Sequence, residues 1–359
     1  MHKTGVANLP LHSGKAPHWL FKRMKALAKS LIELMVLEFG KVEVIKRLSD
    51  PFWFQSIGCL LGFDWHSSGV TTTVTGAIKE GIRGMEGELG LFVAGGKAKR
   101  AIQTPQEILL YAEQFGLDTE NLLRASRLSA KVDSAAVQDG FNLYHHTIFF
   151  TSEGKWCVIQ QGMNETLGMA RRYHWLSLTL ENFVEEPHTA VCCDVRTETL
   201  NFTTKDASPL RDASVEISRE TPEKVIKEVI KIKQLHMPLR HNIKISDINP
   251  EKLYKVLLNT YEQRVSNFES LLLVKGVGAK TLRALALTAE LIYGTPLSFR
   301  DPARYSFAHG GKDGTPYPVD KEVYDRTIEV MRKAIERAKI DREDKTNTQR
   351  RLLKILTLT

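Results

Sequence analysis

Gly276 and Gly278 flank Val277 between the apolar runs "LLLV" and "LRALAL", and they constrain the fold more than any other short feature of the chain. Glycine breaks helices, so residues 271–285 read as two helices joined by a turn of a few residues. Reversing the chain that tightly needs a positive φ, which a Cβ resists. The second helix then starts at the turn, with its free N–H groups and positive dipole end facing outward. Backbone amides at Gly276, Val277, Gly278 and Ala279 can approach a phosphate closely. Lys275, Lys280 and Arg283 add charge, and Thr281 adds a hydroxyl. Such contacts hold a nucleic-acid backbone without reading its sequence. The alternative is a plain helical hairpin with a glycine turn.

The charge distribution favours the first reading. Of the formal net charge of +8, the first 220 residues contribute −1, and residues 221–359 carry 26 Lys and Arg against 17 Asp and Glu. A basic half beside a neutral one suits a polyanion, although a solvated helical surface has the same composition. No apolar run reaches the roughly 18 residues of a membrane span, and the N-terminus lacks an apolar signal core. Cys59, Cys157, Cys192 and Cys193 form no C-x-x-C pair, which excludes the usual zinc and redox spacings and fits a reducing, cytoplasmic setting.

Organisation follows the periodicity. Leu20, Met24, Leu27, Leu31 and Leu34 predict helix over 16–49, and Asp50-Pro51 predicts a second, buried one over 49–63. "TPQEILLYAEQFG" predicts a helix with Thr104 as N-cap, Glu107 closing a capping box, and Gly116 ending it. "FNLYHHTIFFT" and "KWCVIQQGM", joined by Ser152-Glu153-Gly154, predict a β-hairpin, and 188–196 a further strand. Residues 201–220 read as a polar linker, and helices resume at Pro222. The fold class is therefore α+β. A mixed helix and small antiparallel sheet domain over 1–200 precedes an all-α basic domain over 221–359, with the glycine hairpin at 266–294.

Three stretches of the chain could carry chemistry. Ser67, Ser68 and Gly69 precede a threonine-rich helical turn, just after Asp64 and His66. They suit an anion, or else an ordinary capped helix. Separately, the glycine-then-basic loop holding Lys97 follows an apolar run and could contact an anionic DNA backbone. The densest polar cluster holds Asp133, Asp139, His145, His146, Gln160, Gln161, Arg171, Arg172 and His174. Asp133, Asp139 and His146 are suitable ligands for Mg²⁺ or Mn²⁺, and the arginines and His174 could hold a phosphate or move a proton. That describes a metal-dependent phosphodiesterase. Against it, Gln160 and Gln161 stand where the commonest nuclease fold carries acidic-x-lysine, and the same residues could simply hydrogen-bond a small sheet. "FAHGGKDGTPYPVD" offers Lys312 on a mobile loop that could contact DNA.

Residues 269–294 resemble the helix-hairpin-helix superfamily, through Leu271, Val274, Gly276, Gly278, Lys280, Thr281 and Leu285. Within it they resemble base-excision DNA glycosylases, which implies a nucleophilic role for Lys280 with Asp301 as the partner carboxylate, 21 residues on and slightly too far for that pattern. "LPLHSGKAPHWL", "DPFWFQSIGCLLGFDWHSSGVTTTV", "QDGFNLYHH", "VIQQGM", "ARRYHWLS" and "FAHGGKDGTPYPVD" resemble a family of uncharacterised proteins of archaea and thermophilic bacteria, over nearly the full length. That resemblance implies a domain arrangement and no reaction. The expectation is a DNA-processing nuclease of repair or recombination, acting on nucleic acid, above all double-stranded DNA, with a homodimer as a further expected assembly. The rivals are a non-enzymatic DNA-binding protein and a glycosylase/lyase using Lys280.

Overall fold

The computed structural model describes residues 9–11, 16–63, 67–234, 247–303, 329, 331–333, 335–336 and 342–358. Four helices come first: α1 (His18–Phe39), α2 (Lys41–Ser49), α3 (Pro51–Leu61) and α4 (Gly69–Gly81). The helical run expected over 16–49 breaks at Gly40, whose φ of +79° turns α1 into α2. α3 starts as the sequence predicts. Asp50 accepts from the amides of Phe52 and Trp53, and Pro51 occupies the first turn.

Among the described residues seven strands follow: β1 (Leu91–Lys97), β2 (Val137–Gln138), β3 (Asn142–Thr151), β4 (Trp156–Asn164), β5 (Met169–Leu176), β6 (Ala190–Cys192) and β7 (Leu200–Asn201). Five make one antiparallel sheet in the order β1-β3-β4-β5-β6, while β2 and β7 pair separately. The β3–β4 hairpin has the expected turn, with Phe150 opposite Trp156 and His146 opposite Gln160. Strands β1 and β5 lie where no strand was expected. Around the sheet run α5 (Glu86–Leu89), α6 (Lys99–Ile102), α7 (Thr104–Phe115) and α8 (Glu120–Lys131), the last continuing into a π-helical turn, Val132–Ala136. The C-terminal helices are α9 (Ser208–Ser218), α10 (Pro222–Gln234), α11 (Pro250–Gln263), α12 (Phe268–Leu273), α13 (Ala279–Tyr293) and α14 (Arg342–Leu358).

Both faces of the sheet are covered, and this decides the fate of every polar residue on it. Phe92, Ile148, Phe150, Val158 and Trp175 pack on one side with Leu128, Leu210, Leu257 and Leu285 from α8, α9, α11 and α13. Leu91, Val93, Phe149, Ile159 and Leu176 pack on the other with Leu31, Val44, Phe54 and Val74 from α1–α4, and with Leu352 from α14. Successive strand residues point to opposite faces, so Ile148, Phe149 and Phe150 alternate between the two cores. Each buried side chain of that size contributes about 2 kcal/mol.

Two sequence expectations change here. The stretch 201–220, expected to be a linker, contains α9, with Leu210, Val215 and Ile217 in the first core. The C-terminal helices thus share a core with the sheet. Thr104 does not cap α7. Its hydroxyl donates to the Ala101 carbonyl, and Glu107 reaches instead to Lys79 Nζ and the Gly95 amide, both at 2.6 Å. Among the described residues no helix is long and apolar enough to cross a membrane, and the four cysteines are buried and unbridged.

Candidate nucleic-acid interface

The polar cluster expected to be catalytic lies inside the sandwich. His146, Gln160, Arg171, Tyr173 and Trp175 bond on the side of α8. Gln161 bonds toward α4, and Arg172 reaches both α3 and α4. Asp133, in the π-helical turn, accepts from Trp175 Nε1 at 2.9 Å and from Gln160 Nε2, and meets His188 Nε2 through its other oxygen. Gln160 Oε1 lies 2.9 Å from His146 Nδ1, and His146 Nε2 lies 2.9 Å from Ser126 Oγ. Asp139 belongs to a different set, accepting from Arg171 Nη1 (2.9 Å), Tyr173 Oη (2.6 Å) and the Phe141 amide (3.0 Å). Arg171 also donates to Asp301 at 2.8 Å. Burial works against its charge, but Asp139, Tyr173 and Asp301 outweigh that and keep the guanidinium protonated.

The structure therefore does not bring Asp133, Asp139 and His146 together as one donor set. Among the described residues no group of three or more His, Cys, Asp and Glu could hold a metal. Their oxygens and nitrogens are spent on neighbours, the usual condition of buried polar groups. On the opposite face, Gln161 donates to the Ser68 carbonyl at 2.9 Å and accepts from Thr71. Arg172 donates to His174 Nε2 at 2.9 Å and Gln55 Oε1 at 3.0 Å. His145 Nε2 sits 3.1 Å from Thr75 Oγ1 and 2.9 Å from Thr147 Oγ1. Burial, then His146, Lys97 and Lys79, push its pKa down to about 3, so it is neutral.

Thr75 and Thr147 also line an open cleft of about 1090 Å³, which unites two stretches the sequence offered separately. One wall is the entrance of α4, with Ser67, Ser68, Gly69, Thr72 and Thr73. The other is the end of β1 and the start of α6, with Gly95, Gly96, Lys97, Lys99 and Arg100. Ser68 occupies the N-cap position without capping, while Ser67 Oγ accepts from the Gly69 amide at 3.2 Å. Asp64 and His66 lie outside the described residues. Lys97 stands 5.6 Å from the Tyr144 ring centre, and Lys99 and Arg100 are exposed. Among the described residues none of these three cations makes an ion pair, whereas Lys79, deeper in, is held by Glu107.

The backbone here is strained. Gly95 and Gly96 have φ of +97° and +144°, and Ala98 has φ +53° with ψ −119°, a combination almost confined to glycine. Strain of that kind costs about 1–3 kcal/mol, partly offset on substitution by glycine's looser unfolded chain. Ala98→Gly is therefore expected to raise stability by about 1 kcal/mol, read as a higher denaturant midpoint at an unchanged slope.

The glycine turn is a second exposed feature. α12 and α13 are joined through residues 274–278, with Gly276 at φ +94° and Gly278 extended at the N-cap of α13. Lys275 and Gly276 are exposed, Gly278 and Ala279 half-buried, and a Cβ on Gly278 would meet nothing. Val277 is buried, and its carbonyl accepts from Lys131 Nζ. Thr281 is buried rather than presented. Lys280 is exposed but bound to Asp247, as is Arg283, at 3.1 and 2.9 Å. Asp301 is committed to Arg171 and to the Thr197 amide (2.6 Å), so Lys280 and Asp301 do not form the pair a lyase needs. Lys312 lies outside the described residues. The cation the sequence undervalued is Arg127, exposed on α8 between the turn and Lys99. Its place facing outward on an amphipathic helix was the available signal.

Residues 5–319 match the family model described as "Protein of unknown function (DUF763)". No curated protein and no solved structure matches the chain.

Proposed function

We propose, for a chain that belongs to the DUF763 family and inherits no assigned activity from it, that it binds nucleic acid by the sugar–phosphate backbone. The glycine turn before α13 is one grip, read here as a helix-hairpin-helix. The cations of residues 97–100 are the other. The observation that carries this reading is the entrance of α13, where Lys275 and Gly276 are exposed and open space lies over the half-buried Gly278. Among the described residues Lys275 makes no ion pair, and the first-turn N–H groups of a helix beside a cation favour a phosphate. The basic excess of residues 221–359 supports it. The interior position of Asp133, Asp139 and His146 favours a binding protein over a nuclease.

Binding should be insensitive to sequence and steeply dependent on salt. Lys275→Glu is expected to weaken unrelated duplexes equally and to lower the logarithmic salt slope by about 1. Gly278→Ala keeps an allowed φ and meets no neighbour, so it should fold normally while placing a methyl group over the amides. Anisotropy titrations of both variants, at several salt concentrations, check this. Unchanged affinity in both would remove the turn from the interface.

A further inference from the structure

Between the two grips lies a groove of about 700 Å³, bounded by α6, α8, the end of α12 and the start of β3. It shares Lys99 and Tyr144 with the cleft and reaches Leu273 beside the glycine turn, so the two grips and the groove form one continuous surface. Two features set it apart from an ordinary surface dip. Its mouth carries Ile102, 78% exposed, and Leu273, 40% exposed, which a chain with so much apolar core does not need outside. Its charged lining is Lys99, Arg127 and Lys131, with no carboxylate among the described residues. An occupant must therefore be apolar in the middle and anionic at the edge.

The inner end adds a directional requirement. Gln160 donates its amide to Asp133, so its oxygen faces His146 Nδ1 and must accept from it. His146 Nε2 is then bare and accepts the hydroxyl hydrogen of Ser126. The chain Ser126 to His146 to Gln160 to Asp133 thus runs one way, ending on a buried carboxylate. Ser126 Oγ, which lines the groove, is left offering only lone pairs.

We propose that this groove holds an unstacked nucleobase of a single-stranded or locally opened nucleic acid. The base lies against Ile102, Leu273 and Tyr144, an N–H on its edge points toward Ser126 Oγ, and the flanking phosphates meet Lys99 and Arg127. Every base carries an edge donor and an apolar face, so the groove recognises unpairing and not sequence. The inference rests on the backbone-binding reading and adds a preference for unpaired strands.

The test compares a single-stranded oligonucleotide with its perfect duplex by anisotropy on the full chain, with 2-aminopurine in the strand to report unstacking. The single strand is expected to bind more tightly. Ile102→Asp and Leu273→Asp, both at exposed positions, are expected to weaken it about tenfold, leave duplex binding within about twofold, and abolish the 2-aminopurine response. Equal losses on both substrates, or none on either, would overturn the groove while leaving the Lys275→Glu effect intact. If neither substrate binds, the backbone reading falls first. If the groove instead takes an acidic amphipathic peptide that oligonucleotides do not displace, the occupant is a protein and the proposal is wrong.

Discussion

Taking the protein from pH 7 to pH 5 is expected to lower its unfolding free energy by roughly 4–6 kcal/mol, from buried histidines alone. His145, His146 and His174 all lie inside the sandwich. Burial holds each below the ordinary histidine range, His145 at about 3 and His174 well below its usual value, the latter helped by the Arg172 charge beside it. The sign follows from which state binds the proton. The unfolded chain protonates each imidazole below about 6.5, whereas burial keeps the folded chain's imidazoles neutral to lower pH, far lower for His145 and His174. Stability is therefore complete above 6.5 and declines as pH falls, by up to about 1.4 kcal/mol per pH unit for each histidine. Specific bonds reinforce this. His174 Nε2 accepts from Arg172, so a proton there would remove the acceptor and set two cations together. Thr75 donates its hydroxyl to the Thr71 carbonyl at 2.9 Å, so it accepts from His145 Nε2–H, and a proton added at the buried Nδ1 would find no acceptor among the described residues. Denaturant titrations across pH 7 to 5 measure the slope, and His145→Gln should flatten it by about one proton. A stability independent of pH over that range would mean the imidazoles are already charged in the fold.

How much of this was legible in the sequence depends on what each feature needs from the rest of the chain. The glycine turn needs only itself. Gly276 adopts the positive φ its neighbours imply, and the alternation in the β3–β4 hairpin fixes the pairing of His146 with Gln160. The roles of these residues were not legible, because a role depends on what covers each face. Arg171 and Arg172 are adjacent in sequence but serve separate hydrogen-bond networks, and "ARRYHWL" reads as a catalytic cluster until helices are laid over both sides. α9 was hidden for a chemical reason. Its inward stripe is Leu210, Ser214, Ile217 and Ser218, and the serines look like loop residues. In the helix their hydroxyls donate to the Leu210 and Val215 carbonyls and are buried with the apolar residues. The anion cleft was legible in halves. Ser67–Gly69 and Lys97 were both recognisable as suited to phosphate, but only the crossing of α4 with β1 places them across one opening.

Arg171→Met is expected to cost about 3–5 kcal/mol, because it leaves two buried carboxylates without their counter-charge. The side chain is fully buried, over the Phe141 ring at 4.4 Å, and donates to Asp139, to Asp301 and to the Val195 carbonyl at 2.8 Å. Asp139 and Asp301 come from opposite ends of the fold. One precedes β3, and the other follows α13 on a segment where the Asn201 backbone amide donates to the Ser298 carbonyl and its side-chain amide to the Arg300 carbonyl, both at 2.9 Å. Arg171 therefore fastens the C-terminal helices to the sheet, and losing it should loosen both the glycine turn and the groove. The triple variant Arg171→Met, Asp139→Asn, Asp301→Asn separates this account from a catalytic one. Neutralising the carboxylates removes the penalty of leaving them charged and unpaired, so about half or more of the lost stability should return. Nucleic-acid binding should return with it, since none of the three touches the interface. Stability that recovers while binding stays lost would instead place Arg171 in contact with the ligand.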